Sequence, residues 1–279
     1  MTKYNPVNVD TSYGKGAFQK KFFEEGKLLV RTHFDTLQGE GPFAGRPAFF
    51  IRFGGCNFGG KGTKAGPGCT FCDTDFSINK SLLYAPLDLL EIVQSGTKSK
   101  LVILTGGEPL LQPDIPMENL FRALKAEGYE IQLETNGTYM PEWLVRMSGS
   151  RVTIVVSPKA AEKLKKYDSA KKPVPKIADR MKTFGDVFKF LISADPESPY
   201  YDIPAWGKDL AYKINPMERV WLSPIAVYHS APTSEVVSGW SGEHIDREAT
   251  ARNYARTAEL CMEYGARLTI QQHLFTAIP

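Results

Sequence analysis

Leu101-Val102-Ile103-Leu104-Thr105-Gly106-Gly107-Glu108-Pro109 runs from a short β-like apolar stretch into a polar, glycine-rich turn. The same arrangement recurs downstream, where Glu130–Glu134 leads into Thr135-Asn136-Gly137 and Val152–Val156 into Ser157-Pro158-Lys159. Further strand candidates are Leu28–Thr36, Ala48–Phe53, Val187–Ile192, Val220–Leu222 and Arg267–Gln271. Longer amphipathic stretches separate them, and this alternation predicts an α/β fold, a parallel sheet with crossover helices. In such folds the carboxyl ends of the strands carry the active site, so the polar turns are expected to meet on one rim.

Helices are predicted from Pro86 to about Gln94 and from Pro113 to about Glu127, each with proline near its start. The clearest is Asp246–Tyr264, with Ala251, Tyr254, Ala258, Cys261 and Met262 on one face and Gly265 as terminator. On that face Cys261 reads as a small buried hydrophobe. The basic stretch Lys163–Lys176 reads as a fraying, solvated helix running into Pro173 and Pro175, and residues 227–245 as a long loop insertion. Residues 1–26 are taken as an N-terminal extension and 27–279 as one domain.

At 279 residues and 42% hydrophobic content the chain can bury a substantial core. Lys plus Arg (34) against Asp plus Glu (31) leaves a formal charge of +3, too balanced for a dedicated nucleic-acid binder. The apolar runs fall far short of the roughly 20 residues that span a bilayer, and the polar start does not resemble a signal peptide. Four cysteines in so long a chain, three of them in one loop, make a disulfide framework a poor reading and a metal site a better one. A reducing cytoplasm is the expected location.

The loop after Ala48–Phe53 reads Gly54-Gly55-Cys56-Asn57, then a glycine-rich segment, then Cys69-Thr70-Phe71-Cys72-Asp73-Thr74, a spacing of Cys-x12-Cys-x2-Cys. Structural zinc wants four closed ligands, and the only other cysteine lies far away on an apolar helix face, so a histidine would have to complete such a site. Cubane clusters are usually held by four thiolates, so three leave one iron open to an outside ligand. Three unliganded thiols crowded into one exposed turn are the remaining reading.

Three cysteines after an early strand, followed by a strand ending in Gly106-Gly107-Glu108-Pro109, resemble the radical S-adenosylmethionine superfamily. The resemblance implies an incomplete, TIM-like α/β barrel, a [4Fe–4S] cluster on Cys56, Cys69 and Cys72, and S-adenosylmethionine on the open iron, with its methionine amine at the Gly-Gly-Glu turn. The common spacing in that superfamily is Cys-x3-Cys-x2-Cys. The longer first gap here, with signatures spread over most of the chain, is similar to the 7-carboxy-7-deazaguanine synthases. Phe34-Asp35-Thr36-Leu37-Gln38-Gly39-Glu40-Gly41 resembles that family's opening motif, which implies substrate contacts at Leu37, Gln38, Gly39 and Glu40. Arg52 matches an arginine that binds the substrate carboxylate, a task suited to a fixed charged fork. Thr105, Glu134, His273 and the terminal Pro279 match further substrate positions. Phe71, Cys72, Asp73, Gly107, Glu108, Ser157, Pro158, Lys159 and, at a further cofactor loop, Ser193 match cofactor contacts, and Thr74 matches a magnesium ligand. Leu222-Ser223-Pro224 departs from relatives, which often carry glutamine in place of Ser223.

The implied reaction is the radical rearrangement of 6-carboxy-5,6,7,8-tetrahydropterin to 7-carboxy-7-deazaguanine with loss of ammonia, a step of 7-deazapurine (queuosine and preQ0) biosynthesis, whether for tRNA modification or for another deazapurine route. A homodimer and a flavodoxin-like electron donor are implied with it. The alternatives are a glycyl-radical activating enzyme, which would carry the short first gap and a broad protein-docking groove, and a binding module clipped by zinc.

Overall fold

The structure, a computed structural model, describes residues 26–59, 69, 71–72, 74–149, 151–160, 176–213, 219–229 and 245–272. Residues 1–25 of the N-terminal extension, most of the basic stretch and most of the 227–245 insertion lie outside them.

The strands are β1 (Leu28–Leu37), β2 (Pro47–Phe53), β3 (Leu82–Tyr84), β4 (Leu101–Gly106), β5 (Glu130–Thr135), β6 (Val152–Val156), β7 (Val187–Ile192), β8 (Val220–Pro224) and β9 (Arg267–Leu268). They form one sheet in the order β3-β1-β2-β4-β5-β6-β7-β8-β9. Every pairing from β2 to β9 is parallel, as expected. The start of the sheet corrects that expectation, because β1 runs antiparallel to both β2 and β3. Only the short loop between Leu37 and Pro47 joins β1 to β2, less than the dozen or so residues a parallel crossover needs.

The sheet is open, with β3 and β9 at its edges, yet it is rolled. Seven strand spacings separate β1 from β9, roughly 33 Å in a flat sheet. Even so, the Gln272 amide just beyond β9 donates to the Gly39 carbonyl just beyond β1 at 3.2 Å. The result is an incomplete barrel whose mouth is bridged by loops.

Alternation along the strands sorts the two faces. Outward residues such as Ile51, Leu104, Leu133, Ile154 and Phe190 are buried in one core with the helices. Inward, Ala48, Phe50, Leu101 and Ile103 make a small apolar plug. Higher on the same inner face the side chains become polar at Arg52, Thr105, Glu134 and Lys189, which line a cavity at the carboxyl ends of the strands.

The outer layer contains α1 (Pro86–Gly96), α2 (Asp114–Ala126), α3 (Glu142–Met147), α4 (Asp179–Phe184), α5 (Ala205–Lys213) and α6 (Arg247–Tyr264). Asp246 caps α6 through a bond accepted from the Ala249 amide, and Gly265 ends it in the left-handed conformation (φ 65°) that glycine tolerates. The buried face of α6 is rotated from the predicted one. Thr250, Asn253, Thr257 and Leu260 are buried, whereas Met262 is 80% exposed and Ala251 is also exposed. Cys261 is half-buried against the core, and burial pushes its thiol up to about 11. Strand β9 stops at Leu268 rather than Gln271, since the chain turns away there to cross the barrel mouth. Among the described residues no helix is long and apolar enough to cross a membrane.

Candidate active site

A cavity of about 270 Å³ opens at the rim. It brings together most of the residues expected from sequence: Leu37, Gln38, Gly39 and Glu40 after β1, Arg52 on β2, Cys56, Cys69, Phe71, Cys72 and Thr74 in the cysteine loop, Thr105 and Gly107 on the β4 turn, Glu134 on β5, and Ser157 and Lys159 after β6. Glu108, Pro158 and Ser193 do not line it. Asp73, His273 and Pro279 lie outside the described residues.

The first cysteine is fixed by backbone contact with the glycine turn. The Gly107 amide donates to the Phe53 carbonyl at 3.1 Å and the Glu108 amide to the Gly55 carbonyl at 2.9 Å. This leaves no space for a side chain on Gly107, where a Cβ would come within 1.9 Å of the Gly55 oxygen. The Glu108 carboxylate points into the protein and accepts bonds from the Leu110 amide (3.0 Å), the Thr135 hydroxyl (2.7 Å) and the Asn136 amide (2.7 Å). Burial raises its pKa, and these donors pull the other way. Its role is therefore to join the turns after β4 and β5.

A second tie runs from the turn after β5 to the residue beside Cys56. Asn136 Nδ2 donates to Asn57 Oδ1 (2.7 Å), Asn57 Nδ2 donates to Thr138 Oγ1 (2.9 Å), and Thr138 donates back to Asn136 Oδ1 through its hydroxyl (2.6 Å) and amide (3.0 Å). On the other side the Cys72 amide bonds the Cys69 carbonyl (3.3 Å), closing the two-residue turn between those thiols.

Burial raises the Cys56 pKa well above the ordinary thiol range, and Glu108 and the other two cysteines add to the effect. A thiolate there calls for a positive partner, which an iron cluster supplies. Among the described residues no three histidine, cysteine or acidic side chains converge closely enough to chelate a single ion. The three thiols line one cavity. Lys159 lies in the same wall, its ammonium donating to Ser157 Oγ at 2.6 Å. Burial lowers its pKa, opposed by the thiols of Cys69 and Cys72.

In the same cavity the Arg52 guanidinium lies over the Phe34 ring, 4.9 Å from its centre, and a guanidinium held on an aromatic face keeps its in-plane N–H groups for an anion. Glu134 accepts bonds from Gln38 (3.0 Å), Gln132 (2.8 Å) and Thr105 (3.3 Å). The sequence analysis did not single out Lys189, Gln271, Asn57 or Asn136. Lys189 pairs with Glu40 across the cavity, and Gln271 Nε2 donates to the other Glu40 oxygen at 2.9 Å. The available signal was Lys189 itself, a lone charge in the apolar strand Val187–Ile192.

The Radical SAM superfamily model matches residues 50–194. The chain is 34% identical to the 7-carboxy-7-deazaguanine synthase of Rhodospirillum rubrum over 251 residues, 88% of this chain and 90% of that one. It is 32% identical to the Rickettsia prowazekii protein of the same name, over 90% of this chain and 89% of the relative. Among solved structures it is similar to QueE from Escherichia coli, with a TM-score of 0.57 and 22% identity over 94% of this chain and 98% of that one, a likeness of fold.

Proposed function

The chain belongs to the 7-carboxy-7-deazaguanine synthases of the radical S-adenosylmethionine superfamily, and from that membership we propose that it converts 6-carboxy-5,6,7,8-tetrahydropterin to 7-carboxy-7-deazaguanine with release of ammonia. The superfamily brings a [4Fe–4S] cluster and S-adenosylmethionine. One observation carries the reading: Cys56, Cys69 and Cys72 share a single cavity with Arg52, Thr74, Thr105 and Glu134.

A cluster held by Cys56, Cys69 and Cys72, with S-adenosylmethionine on its open iron, would supply the radical chemistry. The protein's own residues hold the reactants and exclude water. Cys56, Cys69 and Cys72 ligate the cluster. Gly107, Ser157, Lys159 and Phe71 form the wall facing S-adenosylmethionine, with Glu108 bracing it from behind, and Pro158 and Ser193 belong to the loops that carry this wall. Arg52 takes the substrate carboxylate in a bidentate grip, and Thr74 offers a hydroxyl to Mg2+, which keeps waters or substrate oxygens for its remaining positions. Glu134, its oxygens oriented by Gln38, Gln132 and Thr105, accepts from N–H groups of the pterin. Leu37, Gln38, Gly39 and Glu40 complete the substrate wall, to which His273 and Pro279 are assigned by resemblance. Phe34, Phe50, Phe58 and Phe76 line the cavity as an apolar screen. The working enzyme is a cytoplasmic homodimer reduced by a flavodoxin-like donor, and its product enters 7-deazapurine biosynthesis.

The test is anaerobic turnover of reconstituted protein with reductant, S-adenosylmethionine, Mg2+ and 6-carboxy-5,6,7,8-tetrahydropterin, with products followed by mass spectrometry. The expected result is 7-carboxy-7-deazaguanine from the intact protein and none from Cys69→Ala. Cleavage of S-adenosylmethionine without that product would retain the radical chemistry and reject the substrate.

A further inference from the structure

Tyr200 lies in the loop between β7 and α5 and is only 2% exposed. It packs with Ala160, Ile225, Phe71 and Leu191 in a small cluster apart from the main core. Of these neighbours Phe71, Leu191 and Ile225 line the cavity, as does Lys159 beside Ala160, whereas Tyr200 itself does not. The ring is therefore a backing behind the cavity wall.

The Tyr200 and Phe71 rings meet edge-to-face, their centres 5.2 Å apart and their planes at 88°. Phe71 sits between Cys69 and Cys72, in the turn closed by the bond from the Cys72 amide to the Cys69 carbonyl. At its other end the Tyr200 hydroxyl accepts from the Ala160 amide at 2.8 Å, a bond buried from solvent. The Tyr200 carbonyl accepts from the Ser193 amide at 2.9 Å, just past β7, and the Ile225 amide donates to the neighbouring Ile192 carbonyl at 2.9 Å. One residue thus joins the turn that carries two of the thiols to the segments after β6, β7 and β8. Tyrosine suits the position because it supplies both an aromatic face and edge for Phe71 and an acceptor for a buried amide that would otherwise go unmet.

We infer that Tyr200 is a positioning residue for S-adenosylmethionine, acting through Phe71 and the Lys159–Ala160 segment. The inference rests on the cofactor wall assigned under the function proposed above, and extends it to a residue that touches neither cofactor nor substrate. The thiols come from the loop after β2, and Ser157 and Lys159 from the loop after β6, so the spacing between them is set by whatever joins the two loops. The Phe71–Tyr200 contact and the bond to Ala160 form such a joint. A ligand that has to reach both loops at once is sensitive to small errors in that spacing.

The experiment measures the dissociation constant of S-adenosylmethionine by anaerobic equilibrium dialysis against reconstituted protein without reductant, with iron content and melting temperature read on the same samples. Tyr200→Phe keeps the ring and removes the acceptor for Ala160. It should weaken S-adenosylmethionine binding by about threefold to tenfold, with iron content at the wild-type level. Tyr200→Leu also removes the ring contact and should weaken binding by a further factor of roughly three to ten, the range of an aromatic pair. Because the ring acts through Phe71, that further loss should shrink to less than about twofold when Phe71→Leu is already present. A merely structural role would lower the melting temperature in both backgrounds alike without this coupling in affinity. Wild-type affinity in Tyr200→Phe, losses that add independently of Phe71→Leu, or an affinity that falls only in step with iron content each overturn the inference. If the wild-type protein itself binds no S-adenosylmethionine, the cofactor wall of the proposed function fails first and the inference fails with it.

Discussion

Gly107 and Gly55 are in direct backbone contact: a Cβ on Gly107 would sit 1.9 Å from the Gly55 carbonyl oxygen and 3.2 Å from the Cys56 nitrogen. The glycine turn after β4 is thus a mould for the backbone that presents the first cysteine. Gly107→Ala should push the two loops apart while leaving the sheet intact. Overpacking of this kind costs ~1–3 kcal/mol, so affinity for S-adenosylmethionine should fall roughly tenfold, with reduced iron retention after reconstitution. Iron and sulfide analysis and equilibrium dialysis read both effects. Wild-type iron content and affinity in the alanine variant would show that the contact does not position the loop.

Asn253 supports the opposite side of the rim. From the middle of α6 its Oδ1 accepts from the Ala194 amide (2.7 Å) and its Nδ2 donates to the Ile225 carbonyl (2.7 Å), joining the loops after β7 and β8. Asn253→Ala strands one buried donor and one buried acceptor, at about 1–3 kcal/mol each. At roughly 2–4 °C per kcal/mol for a large domain, the melting temperature should drop by at least about 4 °C. Thermal unfolding followed by circular dichroism checks it, and a drop of less than 2 °C would mean that water replaces the side chain without loss.

The same residue shows where sequence reading stops. The strands, their polar ends and the cysteine loop were legible because buried parallel strands are nearly continuous apolar runs and turns need glycine. The α6 face was not, because that helix packs on strand ends where unpaired backbone groups need polar partners. Thr250 and Asn253 therefore point inward to backbone groups of Val227, Ala194 and Ile225, Thr257 is buried with its hydroxyl on the Asn253 carbonyl of its own helix, and Met262 points out. Apolar periodicity finds helices that cover greasy faces and misplaces one that covers a polar rim. The Glu40–Lys189 pair was likewise out of reach, since it joins residues 149 positions apart through the roll of the sheet.

Asp186 gives a pH prediction. It sits just before β7, accepts a bond from the Ile154 amide (2.8 Å) and faces Arg219. Burial raises its pKa above the ordinary 3.8, and neither the amide nor the arginine fully offsets this. Between 3.8 and the raised value the folded protein keeps a proton that the unfolded chain has released. Stability contributed by this group is therefore present at low pH, lost as pH rises through the folded pKa, and level above it. Asp186→Asn keeps the acceptor for Ile154 and removes the titration. It should be more stable than wild type at pH 7 and show a flatter profile from pH 4 to 7 in thermal melts. A variant less stable at pH 7 would mean that the charge is matched by Arg219 after all.

Lys189 and Glu40 form a nearly buried ion pair, their side chains 9% and 16% exposed, on the wall that orients Gln271. Removing one partner of such a pair leaves an uncompensated buried charge and typically costs 3–5 kcal/mol, whereas removing both charges can be close to neutral. Lys189→Met should accordingly destabilise the protein by roughly 3–5 kcal/mol, and adding Glu40→Gln should recover much of the loss. The two singles and the double form a thermodynamic cycle read by unfolding. Substrate affinity separates from stability in this cycle. The double variant regains stability but lacks the Glu40 carboxylate, which lines the cavity and is assigned above to the substrate wall, so its affinity for the pterin should stay low. A double variant that recovers both would make the pair a structural brace with no part in arranging the cavity wall.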